Sequence, residues 1–473
     1  MHRAAGAGTG YRRRMTDPSR TAAALATAYA DGSLSPTDVV AHVQQVVDEK
    51  EGQLNAFAVR DAVDATLEEA AASARRWEQG RPLGPLDGIP VTLKENLARA
   101  GVPMTMGCAG VTPVAPEVDS PVARRCREAG LVVLGSTVMP DWGMLSSGVS
   151  SRHGITRSPL DPSWTTGGSS SGAGAAAAGG YGPLHVGTDI GGSIRLPGTW
   201  LGLATLKPSA GRIPLHSPYL GRVAGPMART ARDCALLLSV LAGPDPADWT
   251  SLPEQREPWE DLDLDVRGLR VAVWTRAGYG VEPDPEVVAA VEGAAGRLAD
   301  GGAEVSTVGP WLTQDVLDGV NLFWQARSWA DFARLDPQAQ GRVLPYIADW
   351  VSRASDLTGT EVMDAYHCFA EVQSRTVAAW AAAGDPDVLL SPVAPGVAFP
   401  AEQPMPYPDD GRGMWHINFT MPWNMTGQPA GTVDTARTAE GKPVGVQVVG
   451  RPFDDLGVLR VMHALETGRH TPG

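Results

Sequence analysis

Cysteine is scarce in this chain, and its placement excludes more than its number does. Four cysteines (Cys108, Cys126, Cys234 and Cys368) are widely spaced with no CxxC pair. Neither a disulfide framework nor a cysteine-based metal site is expected, and a reducing, cytoplasmic compartment fits. No run of about 18 apolar residues occurs, so no membrane-spanning helix is expected. The Arg-rich opening MHRAAGAGTGYRRRM has no apolar stretch of the kind a secretion signal needs. Residues 1–20 read as a flexible tail. Surplus positive charge is missing too: 39 Lys and Arg stand against 53 Asp and Glu, a net charge of -14. With no basic stripe to compensate, a nucleic acid or an anionic membrane is a poor partner. No internal repeat or low-complexity linker divides the chain, so residues 21–473 read as one domain, working as a monomer or homodimer.

What is present is the composition of a globular enzyme, with 43% apolar and 19% charged residues. Helical spacing recurs from Thr21 to Glu49, with Ser35-Pro36 marking a helix start, and again from Asp64 to Glu78. In LDGIPVTLKENL (Leu86–Leu97), Ile89, Val91 and Leu93 alternate with Pro90, Thr92 and Lys94, which predicts a short strand with Lys94 near its end. A lysine there is usually solvated, and the spacing alone assigns it no chemistry. A helix (Ser120–Ala129) then a buried strand (Leu131–Thr137) indicate an α/β architecture. Residues 141–163 are polar and aperiodic, a long irregular connection of the kind that often carries function. Further strands are expected at LHVGTD, Gly202–Ser209, Gly268–Trp274 and Asp387–Pro395, and two more between Asn424 and Gly450. Residues 311–383 read as helical, and Leu456–Glu466 as a closing helix.

The chemistry concentrates in GGSSSGAGAAAAGGYGPLHVGTDIGGSIRLP (Gly167–Pro197). Glycine lets main-chain N–H groups approach a ligand closely, because no Cβ intervenes. In GTDIGGS, the N–H groups of Ile190, Gly191, Gly192 and Ser193 can converge on one oxygen beside the Ser193 hydroxyl. A nucleophile flanked by its own oxyanion hole is what acyl transfer requires.

GGSSSGAG has three readings: a flexible linker, a G-x-S-x-G nucleophile elbow around Ser170, and a relay in which Ser169 passes a proton between a lysine base and Ser193. The elbow needs a preceding strand, and PLDPSWTT is a poor one. The relay needs a lysine that burial keeps neutral near pH 7.

LDGIPVTLKENL, GGSSSGAGAAAA, GTDIGGSIRLPG, GLATLKPS and NMTGQPAGTV…GKPVGVQVVG, in this order, resemble the amidase signature family over about residues 21–467. Lys94 and Ser169 are 75 residues apart and Ser169 and Ser193 24 apart, and these spacings match the family. The resemblance implies an α/β amidase signature fold, a large mixed central sheet surrounded by helices. It also implies a Ser-cisSer-Lys triad: Ser193 as nucleophile, Ser169 as relay with its peptide bond cis, and Lys94 as base and later acid. Ile190 to Ser193 would form the oxyanion hole, Ser170 would bond within the triad, and Asp189 and Arg195 would hold the loop. No metal or organic cofactor is implied. One departure is visible, since Ser171 stands where the family has glycine.

The implied reaction is hydrolysis of an amide through an acyl-enzyme, with esters and carbamates open to the same chemistry. Gly143, Met144, Trp415 and Phe419, among other apolar residues of segments 143–147, 323–329 and 395–423, are the expected substrate contacts and favour an apolar or aromatic small molecule. Three alternatives stay open. They are the glutamine-hydrolysing subunit of a tRNA amidotransferase, a hydrolase of allophanate or other urea derivatives, and an anion-binding protein without turnover.

Overall fold

Apolar alternation along Pro90–Lys94 produces the strand around which the sheet is laid. The computed structural model describes residues 21–408 and 413–468; the tail expected at 1–20 lies outside the described residues. In chain order the strands are β1 (Phe57–Arg60), β2 (Pro90–Lys94), β3 (Val132–Thr137), β4 (Val149–Ser150), β5 (Gly154–Ile155), β6 (Leu184–Asp189) and β7 (Ala204–Lys207). There follow β8 (Val223–Ala228), β9 (Arg270–Val273), β10 (Glu304–Thr307), β11 (Val388–Pro392), β12 (Ala430–Arg437) and β13 (Pro443–Gly450). Eleven of them form one mixed sheet in the order β1-β3-β2-β6-β8-β7-β12-β13-β11-β9-β10, while β4 and β5 pair separately. β2 lies parallel to both β3 and β6 and is buried at every residue. Strands covered on both faces favour near-continuous apolar sequence, and the neighbouring β3, VVLGST, opens with it.

The expected α/β class holds, and most elements fall where the sequence placed them. Four strands escaped it, the two-residue β4 and β5 among them, and in the main sheet β1 and β8. β1 is only four residues long. β8 reads VAGPMA, whose internal Gly and Pro suppress the strand signal. Yet β8 is central, antiparallel to β6 and β7. Gly225 explains the composition: a Cβ there would lie 2.1 Å from the Leu206 carbonyl oxygen.

Helices cover both faces. On one side Pro36–Leu54, Val63–Glu78, Ala231–Leu241, Pro285–Asp300 and Asp455–Thr467 bury aliphatic residues in one core. On the other, Gln314–Phe332 and Gly359–Ala382 contribute to a second core rich in tryptophan, including Trp274, Trp324 and Trp423. Arg212 and Asp455 form a buried ion pair at 3.0 Å that ties the β7–β8 connection to the last helix.

The helix Ser171–Gly179 packs over β2 and β6. Its side chains are almost absent, and this lets its backbone sit close to neighbouring backbone. A Cβ on Gly172 would be 2.2 Å from the Ala56 carbonyl oxygen and 2.4 Å from Val138 N. Ser171, the residue that departs from the family pattern, is buried and donates its hydroxyl to the Val138 carbonyl at 3.2 Å. The extra hydroxyl is therefore absorbed without an unpaired polar atom.

Gly→Ala inside a helix ordinarily stabilises by up to about 1 kcal/mol. At Gly172 the sign is expected to reverse, with a loss of roughly 1–3 kcal/mol from overpacking. Gly293→Ala, in a helix position with nothing within 4 Å of the added Cβ, is the control expected to gain stability. Urea unfolding of both variants checks this.

Candidate active site

The carboxyl ends of parallel strands are where open α/β sheets place ligands, and β2 and β6 end side by side. Lys94, the last residue of β2, is fully buried. Its Nζ lies 2.8 Å from Ser169 Oγ, 3.1 Å from Ser170 Oγ and 3.5 Å from the Thr188 carbonyl oxygen. The Gly168–Ser169 peptide bond is cis. Ser170 stitches the site together: its hydroxyl donates to the Thr188 carbonyl (3.1 Å) and accepts from Thr188 N–H (3.2 Å), and its N–H donates to the Ser193 carbonyl (3.1 Å). The strand end, the serine cluster and the GTDIGGS loop are thus one bonded unit.

Burial removes water from the Lys94 ammonium and lowers its pKa to about 7. The charge of Arg222 pushes the same way, and Asp189 and Glu95 oppose it. At neutral pH a large share of Lys94 is therefore the free amine, able to take a proton.

Asp189, at the end of β6, organises the loop that follows. Its carboxylate accepts from Gly192 N–H (2.8 Å), Ile194 N–H (3.0 Å), Arg195 Nη2 (2.8 Å) and Nε (3.0 Å), and Asn424 Nδ2 (2.8 Å). Burial alone would raise its pKa, but Arg195 and these donors outweigh it and hold the group below the usual carboxylate range. Arg195 in turn donates to the Thr420 carbonyl and to Gln447, both at 2.8 Å. Gly192 takes φ +131, and a Cβ there would meet Thr420 Oγ1 at 2.7 Å. Only glycine fits this bend.

Next to the serines lies a cavity of about 320 Å³, including space open to solvent. It is lined by Gly143, Met144, Leu145, Ser146, Ile190, Gly191, Ser193, Leu196, Trp324, Met414 and Ile417. Ser169 adjoins it, since a Cβ on Gly143 would be 3.1 Å from Ser169 Oγ. Expected contacts Gly143 and Met144 are therefore at the cavity. Trp415 and Phe419 are not among its lining residues. Phe419 is fully buried with its ring centroid 5.1 Å from that of Trp274, and Trp415 turns away to donate from Nε1 to Asp318 at 3.0 Å. The reason is a 3-10 turn at Trp415–Ile417. In that geometry residues three apart eclipse one another, so Met414 and Ile417 share a side and Trp415 points elsewhere. Leu196 and Ile417 were not singled out by sequence, and only the turn geometry identifies Ile417. The oxyanion expectation also needs one correction: the Gly192 N–H is committed to Asp189, leaving Ile190, Gly191 and Ser193 as the loop residues at the cavity.

A family model for amidases matches residues 38–459. The chain belongs to the amidase signature family. Curated relatives of this amidase include an acylamidase of Rhodococcus erythropolis, 34% identical over 95% of each chain. Another is a glutamyl-tRNA(Gln) amidotransferase subunit of Chloroflexus aurantiacus, 33% identical over 94% of this chain and 96% of the relative. Among solved structures, a bacterial aryl acylamidase of the same family superposes with a TM-score of 0.87 at 25% identity, over 95% of this amidase and 96% of that chain. The fold and hydrolase class are those the motifs implied. Among the described residues no group of three or more His, Cys, Asp or Glu is placed to hold a metal ion, and no helix is long and apolar enough to cross a membrane.

Removing the Asp189 carboxylate leaves Arg195 charged and buried. Asp189→Ala is expected to cost about 3–5 kcal/mol, read as a lowered midpoint in urea unfolding. Ser170→Ala, which removes hydrogen bonds but strands no charge, is expected to cost about 1–3 kcal/mol in the same measurement.

Proposed function

We propose that this amidase hydrolyses amides with apolar or aromatic groups next to the scissile bond, through an acyl-enzyme on Ser193. The observation that carries the reading is a buried lysine, half-neutral near pH 7, within bonding distance of Ser169 and Ser170 and beside a cavity that Ser193 lines. In the first step Ser193 Oγ attacks the substrate carbonyl. Its proton passes to Ser169 Oγ as the Ser169 proton passes to Lys94 Nζ. The oxyanion is received by the N–H groups of Ile190, Gly191 and Ser193, with Gly192 shaping the loop. As the C–N bond breaks, the Lys94 proton returns through Ser169 to the departing nitrogen. Water then repeats the sequence on the acyl-enzyme, releasing the acid and restoring the Ser193 hydroxyl. Ser170 positions Lys94; Asp189 and Arg195 position the loop.

Carbamates and esters present the same carbonyl and are proposed as further substrates. A carbamate cleaved at its C–O or C–N bond yields a carbamic acid or carbonic half-ester, and either loses CO₂. The cavity composition supports an uncharged, apolar segment next to the scissile carbonyl, since none of its lining side chains is charged. That composition does not favour glutamine, whose α-amino group needs a carboxylate partner in a desolvated site, and no lining residue is acidic. A urea derivative such as allophanate would want arginines near the pocket; of Arg152, Arg157 and Arg327, Arg157 is engaged by Glu402 at 2.8 Å and Arg327 reaches the cavity residue Met144 at 3.7 Å. Residues 21–473 are proposed to act as one unit, supported by the family match over 38–459 and the single eleven-stranded sheet.

Treatment with a fluorophosphonate and peptide mapping is expected to place the label on Ser193, and Ser193→Ala to abolish both label and turnover, with kcat down by at least about 10³-fold. Label on Ser170 would instead favour a nucleophile elbow, and no serine label would remove the acyl-enzyme reading. The proton bookkeeping predicts the pH profile. Below pH 7 Lys94 is an ammonium and cannot accept a proton, so kcat/KM for an anilide should rise as pH passes through about 7 and then level off. A flat profile between pH 5 and 9 would show that Lys94 is not the base.

A further inference from the structure

Two arginines stand beside the cavity without a carboxylate. Arg327 lies one turn beyond Trp324 on the helix Gln314–Phe332, so the two share a face, and Trp324 lines the cavity. The Arg327 guanidinium sits 5.3 Å over the Tyr219 ring, its Nη2 is 3.7 Å from the sulfur of the cavity residue Met144, and its buried Nε has no hydrogen-bond acceptor. Arg222 approaches from the other side. Its backbone N–H donates to the Tyr219 carbonyl at 2.9 Å, closing the turn that joins the two residues. Its Nη2 donates to the Asn96 carbonyl at 3.2 Å, two residues past Lys94. Both side chains are half-buried, so a ligand from solvent can reach them.

Neither arginine enters an ion pair with any described residue, although the chain carries 53 acids against 39 bases. The Arg222 and Arg327 guanidinium groups are near enough to act on one another, and like charges in a partly dry environment disfavour each other. Burial and the Arg327 charge together lower the pKa of Arg222 to about 10. A carboxylate accommodated between them relieves that repulsion, supplies the missing acceptor for Nε, and suits the planar fork of a guanidinium.

We infer that Arg222 and Arg327 form a carboxylate-binding subsite, which selects substrates whose scissile bond is joined through an apolar spacer to an anionic end. The uncharged cavity takes the scissile group and spacer; the arginines take the far end. The inference rests on the proposed attack by Ser193. It extends that reading from an uncharged scissile region to an amphipathic whole substrate.

The test compares glutaryl p-nitroanilide with hexanoyl p-nitroanilide, which share an apolar spacer and differ in the terminal carboxylate. In the native enzyme the glutaryl compound is expected to have the higher kcat/KM. In Arg327→Gln the ratio of the two should fall about tenfold to a hundredfold, the range for a lost charge-assisted contact, mostly through KM. Arg327→Lys should recover part of it. An unchanged ratio in Arg327→Gln overturns the subsite. If neither anilide turns over, calorimetry on Ser193→Ala decides: 4-phenylbutyrate should bind about tenfold or more tighter than 4-phenylbutanol, with the preference lost in Ser193→Ala/Arg327→Gln, and equal binding overturns the subsite. Fluorophosphonate labelling of Ser193 separates the two failures. A labelled enzyme with no carboxylate preference loses only the subsite, whereas an unlabelled one loses the acyl-enzyme reading itself.

Discussion

The site depends on one unfavourable arrangement, a lysine taken out of water without a carboxylate bonded to it. Had an acid been placed against Lys94, Coulomb attraction would have kept the ammonium charged and useless as a base. Instead Nζ meets two serine hydroxyls and a carbonyl, which satisfy its hydrogen bonds without supplying full negative charge. Glu95, the next residue, is turned to His153, with Nε2 2.7 Å from its carboxylate. Holding a polar group in such a place costs stability, and the surrounding architecture offsets that cost. β2 is buried between two parallel neighbours, and the small-residue helix Ser171–Gly179 lies close above it.

The electrostatic compensation is spatially divided. Asp189 and Arg195 form a fully bonded pair within the GTDIGGS loop and the turn after it, rigidifying it through five donors while remaining net neutral. Lys94 lies just beyond direct contact with that pair and so keeps its low pKa. A buried ion pair is weak evidence for stability in general. Here its use is geometric: it holds Gly192 in a left-handed bend and sets Ile190, Gly191 and Ser193 against the cavity.

The cavity is assembled differently from the serine–lysine unit. The cavity draws on segments spread along the chain, 143–146, 190–196, 324 and 414–417, and most of its side chains lie outside the Lys94–Ser169–Ser170 cluster. That separation is consistent with relatives of similar overall identity whose names span an acylamidase and a tRNA amidotransferase component. It also explains why family membership identifies a reaction class before it identifies a substrate.

The α/β class, the position of Lys94 at a strand end, and the grouping of Ser169, Ser170 and Ser193 were legible in the sequence. Each is governed by local rules: alternation for the strand, glycine-rich backbone for the loops, and motif spacing for the family. β8 was not legible, because its Gly225 and Pro226 mark a strand that only its neighbours make tolerable. Nor was the choice among the aromatic residues of 414–423. Composition marked the whole segment as apolar, but a single 3-10 turn sends Met414 and Ile417 to the cavity and leaves Trp415 and Phe419 outside it. The assignment of the Gly192 N–H to Asp189, and the approach of Arg327 to Arg222, likewise depend on residues brought together through space. Sequence by itself determined which groups can do chemistry, since that follows from residue type and local backbone. Only the tertiary structure decided which of them are buried, which are paired and which face the cavity, because burial and pairing are properties of packing between segments far apart in the chain.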